Sequence, residues 1–297
     1  MAEVKLKDCY SARELIDYLS PLDRERWPRG HYVFRGQPCA SYGLAPAAYR
    51  TNSFFTPNNM LGRLGKVQAQ GQVFFEVQVL ISFLEACDGS GIQVAGDSTE
   101  LRQLLEQPDR YYIRPSEWPP KTVLPVLATA QHHGAPTCLL DWTRRSFVAA
   151  YFAASGALRS TQQQSHLAVW ALNIHNHMAW ENISLVKMPG GTSANLAAQA
   201  GVFTVSSIKA TRGEHFESTA LEYQEDVYRH QSEEQPGLIK MTLPVSEAGE
   251  LLRLCSDLGV KGSVLFPGYE GAAREVNDYA YANLPNPFKN ESFSGAK

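Results

Sequence analysis

No stretch of this chain approaches the roughly 20 consecutive apolar residues of a membrane span, so membrane insertion is not expected. The opening MAEVKLKDCY also lacks the apolar core of a secretory signal, and a cytoplasmic protein is expected. The five cysteines, Cys9, Cys39, Cys87, Cys138 and Cys255, are odd in number, widely spaced and without a CxxC pair. A complete disulfide framework is therefore excluded, and free or core thiols are expected. A formal net charge of -3 provides no global cationic surface, so generic nucleic-acid affinity is not indicated. The chain has no HExxH, no Walker lysine loop, no GxGxxG and no GxSxG elbow. His175-Asn176-His177 has metal-like spacing but no further ligands to complete it, and no metal site is expected.

What is present suffices for a full core: 297 residues, 44% of them apolar. Ser11-Ala12-Arg13-Glu14 has the spacing of a capping box and predicts a helix to about Leu19, within an N-terminal helical segment, residues 1–30. Residues 31–34 read as a strand that delivers Arg35-Gly36-Gln37 at its end, and 51–59 as a polar and aromatic loop. Residues 65–86 carry a broad apolar face and predict a long helix. A capped helix at 98–106 and an irregular aromatic cover at 111–120 complete a helical insertion, 65–120, within a main domain spanning 31–285.

Residues 124–132 predict a helix stopped by Gly134 as a left-handed C-cap. Asp141 or Thr143 can cap the next helix, which runs through Ser155 and contains eight consecutive apolar residues, 147–154. Strands are expected at 166–174, 202–206, 238–243 and 263–266, with helices at 193–200 and 246–258. Residues 286–297 form a polar tail. Helices and short strands in this order predict a mixed α+β core.

The densest polar cluster lies in residues 131–143, where Gln, His, Thr, Asp and Trp adjoin an apolar run. Arg35 offers a planar fork for phosphate or carboxylate, beside a glycine whose backbone can approach a ligand. Arg35 can equally pair with Asp141 inside the protein. His133 abuts the Gly134 turn and is chosen over His132 as the histidine facing a cleft; C-terminal capping is the alternative. Asp141 can orient Arg35, polarise His133 or cap a helix. Trp142 can stack on a ring or belong to the core. Cys138, flanked by Leu139-Leu140, reads as a buried, unreactive thiol. Glu270, between Gly268 and Gly271 after an apolar run, suits a carboxylate that steadies positive charge developing on a sugar.

Taken in order, several motifs resemble the FRG-domain family: Tyr32 through Gln37, Leu44-Ala45-Pro46 with Arg50, His133-Gly134-Ala135-Pro136-Thr137 with Leu139-Leu140-Asp141-Trp142-Thr143, Gln199-Ala200-Gly201-Val202-Phe203, and Leu265-Phe266-Pro267 leading to Gly271. Asn195-Leu196 departs from the pattern, standing where a basic residue commonly appears. The family resemblance implies a bacterial or phage protein, in some members toxin-like or linked to phage defence.

The layout is more distantly similar to ADP-ribosyltransferases, which implies an ADP-ribosyltransferase-like fold and NAD as the cofactor. By that resemblance Arg35, Glu270 and His133 are the candidate catalytic residues. Arg35, Gly36, Gln37, Asp141, Trp142, Thr143, Thr204 and Ser206, with Ser207, are the candidate NAD contacts. A single late acid stands where many arginine-modifying members carry Glu-x-Glu. The implied activity is transfer of ADP-ribose to an unidentified protein or nucleic-acid acceptor. The rival expectations are a non-catalytic sensor or module that binds a partner protein, with Arg35, His133 and Asp141 as a polar brace, and a hydrolase or nuclease using His133 as base.

Overall fold

The computed structural model describes residues 3–50, 67–162, 164–188, 194–229 and 231–283. The expected loop at 51–59, the first residues of the helix read from 65, the Ser193 helix start and the polar tail at 286–297 lie outside them.

A seven-stranded mixed sheet organises the chain. Strand β1 (Lys5–Asp8) pairs in parallel with β7 (Leu238–Pro244), and the other neighbours are antiparallel. The remaining strands are β2 (Tyr32–Gln37), β3 (Leu139–Thr143), β4 (His166–Asn173), β5 (Ile183–Val186) and β6 (Gly201–Ser206). Their order is β1-β7-β4-β2-β3-β6-β5. The N-terminal segment is thus more than helical. Lys-Leu-Lys-Asp has no apolar alternation because it forms a charged sheet edge, which discourages further pairing. Behind it, Ser11 caps helix α1 (Ala12–Tyr18), accepting from the Glu14 N–H at 3.2 Å, while Glu14 accepts from the Tyr10 N–H at 2.9 Å.

One seam in this sheet positions the site. Strand β2 pairs with β4 along its whole length, from Tyr32↔Asn173 to Gln37↔Ala168. Towards β3 it makes a single pair, Phe34↔Thr143, after which the two strands part. The alternation of side chains places Phe34 and Thr143 on one face and Leu140 and Trp142 on the other.

The first face carries two cores, one on each side of the seam. Tyr32, Phe34, Val169 and Met241 pack with α1, with α6 (Ser146–Arg159) and with α8 (Ala248–Asp257). Leu139, Phe203 and Val205 pack with α2 (Ala69–Gly89), with α5 (Leu124–His132) and, through Leu196, with α7 (Ala194–Gln199). The opposite face, including Val33, Leu140, Trp142 and Trp170, is covered by Ile174, Leu221, Val227 and Tyr228 from connecting segments.

Three sequence expectations change here. Residues 139–143 form a strand, so Asp141 caps no helix; α6 begins at Ser146, and Thr143 Oγ1 accepts the Arg145 N–H at 3.0 Å. Residues 263–266 fall within a helical turn, α9 (Gly262–Leu265), followed by α10 (Tyr269–Asn283). Two glycines make that turn possible: a Cβ at Gly271 would lie 1.7 Å from Phe266 O, and one at Gly262 would lie 2.7 Å from Glu275 N. The β-rich appearance of Ser-Val-Leu-Phe loses to this close helix packing.

Residues 111–120 are not a cover over a cleft. Trp118 is fully buried against α2, with α4 (Asp109–Ile113) and a 3-10 turn around it. Helix α3 (Thr99–Glu106) is capped as expected, Ser98 Oγ accepting from Leu101 N at 3.2 Å.

Candidate functional site

The parting of β2 and β3 opens a cleft of about 380 Å³ on the helical face. Its volume lies within the ordinary range of small-molecule sites. Gly36, Asp141 and Thr143 contribute from the strands, Gln131 and His132 from the end of α5, and Phe152, Phe266 and Arg274 from the helices opposite. Arg35 shares its strand face with Val33 and Gln37, but its long side chain turns into the gap.

There Arg35 Nη1 donates to the Asp141 backbone carbonyl at 2.8 Å and meets the Asp141 carboxylate at 3.4 Å. The same carboxylate oxygen accepts from Gln131 Nε2 at 2.8 Å. Gln131 Oε1 accepts from Thr137 Oγ1 at 2.7 Å, and that hydroxyl accepts the Leu139 N–H at 3.2 Å. A continuous chain of hydrogen bonds therefore runs from β2 across the seam to the exit from α5. Gly134, at φ +90°, makes that exit possible; its left-handed backbone favours a residue without Cβ. The Arg35 side chain is 15% exposed and that of Asp141 45%, so the carboxylate is held on one side and open to the cleft on the other.

Helix phase decides between the two histidines. His132 lines the cleft and is half-buried, whereas His133, the sequence choice, is exposed and points elsewhere. Burial is the main cause that pushes the His132 pKa down, with the neighbouring His133 adding to it, which favours the neutral imidazole. His133 is not among the residues that line this cleft.

Several other candidates are committed elsewhere. Gln37 is buried on the opposite face, accepting from Trp170 Nε1 at 2.8 Å and donating to Gly43 O at 3.0 Å. Trp142 is core, and its indole N–H donates to Thr204 Oγ1 at 3.0 Å, which occupies that hydroxyl as well. Ser206 pairs with Gln224, and Ser207 donates to Asn182 O at 3.3 Å. None of these hydroxyls lines the cleft.

Gly36 does line it, but what a side chain there would meet is the backbone of α6: a Cβ would fall 1.9 Å from Ala149 O. Close approach of α6, rather than of a ligand, excludes a side chain there. Glu270 stands in the first turn of α10, 74% exposed, and contacts Arg274 Nη2 at 3.3 Å. It is not presented by a strand end, and the cleft-lining side chain of that turn is Arg274.

Two features escaped the sequence. Arg274 lies over the Phe266 ring, its guanidinium carbon 3.9 Å from the centroid. The only sequence signal was its i,i+4 spacing from Glu270, which becomes informative once the segment is known to be helical. The second is Glu76, fully buried in α2, which accepts from Trp118 Nε1 and Gln72 Nε2, each at 2.8 Å. Burial raises its pKa, and also that of neighbouring Cys138, whose thiol is fully enclosed and unreactive in character.

One observation bears directly on ligand chemistry: Arg35 Nε is buried and has no hydrogen-bond partner among the described residues. Such a group calls for an acceptor, and a phosphate oxygen or a water would provide one. Among the described residues no group of three or more His, Cys, Asp or Glu side chains could hold a metal ion, and no helix is long and apolar enough to cross a membrane.

Residues 30–164 match the FRG-domain family model. The matched stretch runs from β2 through α6 and contains Arg35, Gln131, His132 and Asp141, but ends before Thr204, Glu270 and Arg274. No curated protein and no solved structure matches the chain.

Proposed function

We propose that this protein binds NAD in the seam cleft and transfers ADP-ribose from it to a macromolecular acceptor, a protein or a nucleic acid. The observation that carries this reading is the convergence of Arg35 and the half-exposed Asp141 carboxylate on one open cleft with aromatic walls. NAD would supply a glycosidic bond whose cleavage releases neutral nicotinamide and builds positive charge on the ribose.

The chain's own residues fit that demand. Arg35 presents a buried N–H that has no partner among the described residues and is suited to an anionic oxygen. Asp141, fixed by Gln131 and Arg35, offers a pre-oriented negative charge to a developing cation. His132, favoured as neutral imidazole, adds no competing positive charge. Phe152 and Phe266, edge to face at 6.0 Å, narrow the space open to water. In this proposal Asp141 takes the part first read into Glu270. Arg35 and Asp141 both lie within residues 30–164, the stretch that matches the FRG-domain model.

A second reading rests on the same hydrogen bonds. The Arg35–Asp141–Gln131–Thr137 chain braces the seam, as a non-catalytic sensor or partner-binding module in bacterial or phage conflict would require. Nicotinamide release separates the two. NAD is incubated with wild-type protein, Arg35→Lys and Asp141→Asn, with cell protein and RNA present as acceptors. Release by the wild type that falls sharply in both variants supports transfer. No release by the wild type, or undiminished release in both variants, removes the NAD site and leaves the brace.

A further inference from the structure

Among the described residues, the Arg274 side chain makes one hydrogen bond, to Glu270, across 3.3 Å. Its side chain is 28% exposed and, projecting from α10, lines the cleft that Arg35 enters from β2. Its guanidinium carbon lies over the Phe266 ring, 3.9 Å from the centroid, and both side chains line the cleft. Arg35 enters the same cleft with Nε buried and unpartnered. Two guanidiniums therefore line one cleft with more donors than the acceptors of the described residues satisfy.

The nearby acids offset them only in part. Asp141 lies 3.4 Å from Arg35 Nη1 and leaves Arg35 Nε without a partner among the described residues. Glu270 is largely exposed and held through a single long contact, the kind of surface pair that solvent screens effectively. Arg50, which donates to Ala45 O at 3.0 Å, adds another positive charge within Coulombic reach of Arg35.

We infer that Arg274 and Arg35 form a two-sided oxyanion subsite that takes a pyrophosphate group, and that Glu270 occupies Arg274 until the anion displaces it. A diphosphate places oxygens on two sides of a bridging atom and can meet a fork from each wall, whereas one tetrahedral anion has less reach. The identification of that diphosphate as part of a nucleotide rests on the NAD reading; the anion subsite stands on the arginines alone. Glu270 thereby acts as a competitor for Arg274, and its removal should help binding rather than harm it.

The test is calorimetric titration of the purified full chain with inorganic pyrophosphate, with inorganic phosphate and sulfate as comparison anions at the same ionic strength. Pyrophosphate should bind more tightly than either. Arg274→Gln should weaken it about tenfold or more, the scale of losing charge-assisted hydrogen bonds. Arg274→Lys should recover part of the loss, since charge returns without the fork. Glu270→Gln should tighten binding several-fold. Circular dichroism melts verify that each variant is folded.

Unchanged pyrophosphate affinity in folded Arg274→Gln, or weaker binding in Glu270→Gln, overturns the inference. Pyrophosphate binding with the expected variant pattern, but without nicotinamide release, upholds the subsite and overturns the NAD reading alone. Nicotinamide release alongside an unchanged Arg274→Gln affinity does the reverse.

Discussion

Arg35 Nη1 lies closer to the backbone carbonyl of Asp141, at 2.8 Å, than to its carboxylate, at 3.4 Å. The arginine thus holds the main chain of β3 where the sheet has parted, and leaves the carboxylate to Gln131 and the cleft. Brace and site are the same residues used in two directions: Arg35 bridges the seam, and the opening it bridges exposes Asp141.

Gln131 should be the positioning residue of this arrangement. Gln131→Ala removes the 2.8 Å bond to Asp141 and the 2.7 Å bond from Thr137. A cost of about 1–3 kcal/mol is expected, because the loss leaves partly buried partners unsatisfied. Urea denaturation should show a lower midpoint with an unchanged slope; an unchanged midpoint would show that the hydrogen-bond chain does not hold the seam.

Gly36→Ala is expected to be far more damaging than its size suggests. The new Cβ would lie 1.9 Å from Ala149 O and 2.6 Å from Ala153 N, so α6 would have to move off β2. Backbone cannot yield as a flexible side chain does, and a loss of about 3 kcal/mol or more follows. Thermal melting should register it as a large drop in Tm, and a near-wild-type melt would contradict the packing described.

Thr204→Val tests the opposite face. It leaves the Trp142 indole N–H buried without its acceptor and should cost about 1–3 kcal/mol in chemical denaturation. Adding Trp142→Phe should recover part of that loss, because the unsatisfied donor disappears. Additive losses in the double variant would place the two side chains out of contact.

Glu76 gives stability a pH dependence of predictable sign. Burial raises its folded pKa above the ordinary 4.5, so the folded chain retains the proton longer than the unfolded chain does. The associated stability is whole below about 4.5 and is lost as pH rises through the raised folded value. Glu76→Gln removes the titration, so the difference in unfolding free energy between variant and wild type should shift in favour of the variant as pH increases. A difference that stays constant with pH would mean that Glu76 is charged in the folded protein.

Much of this was legible where local rules decide the outcome. The helix at 124–132 ends at Gly134 because a left-handed residue is needed there, and the Ser11 and Ser98 caps follow from side-chain reach. The pairing of Arg35 with Asp141 was open from the chemistry of the two groups. What stayed hidden depends on tertiary contact. Leu139–Thr143 reads as a capped helix start until β6 pairs with it, and residues 263–266 read as a strand until Gly262 and Gly271 admit α10 at backbone distance. His132 and His133 differ only in helical phase, which no composition argument resolves. Arg274 became visible as a cleft residue only when α9 and α10 brought it into the cleft that Arg35 also lines.

The most direct measurement of the central claim is equilibrium binding of NAD to wild-type protein and to Arg35→Lys. Binding by the wild type, weakened about tenfold or more in a folded Arg35→Lys variant that retains charge without the planar fork, is the expected result. No NAD binding by the wild type, or equal affinity in the two proteins, would contradict an NAD site at the seam.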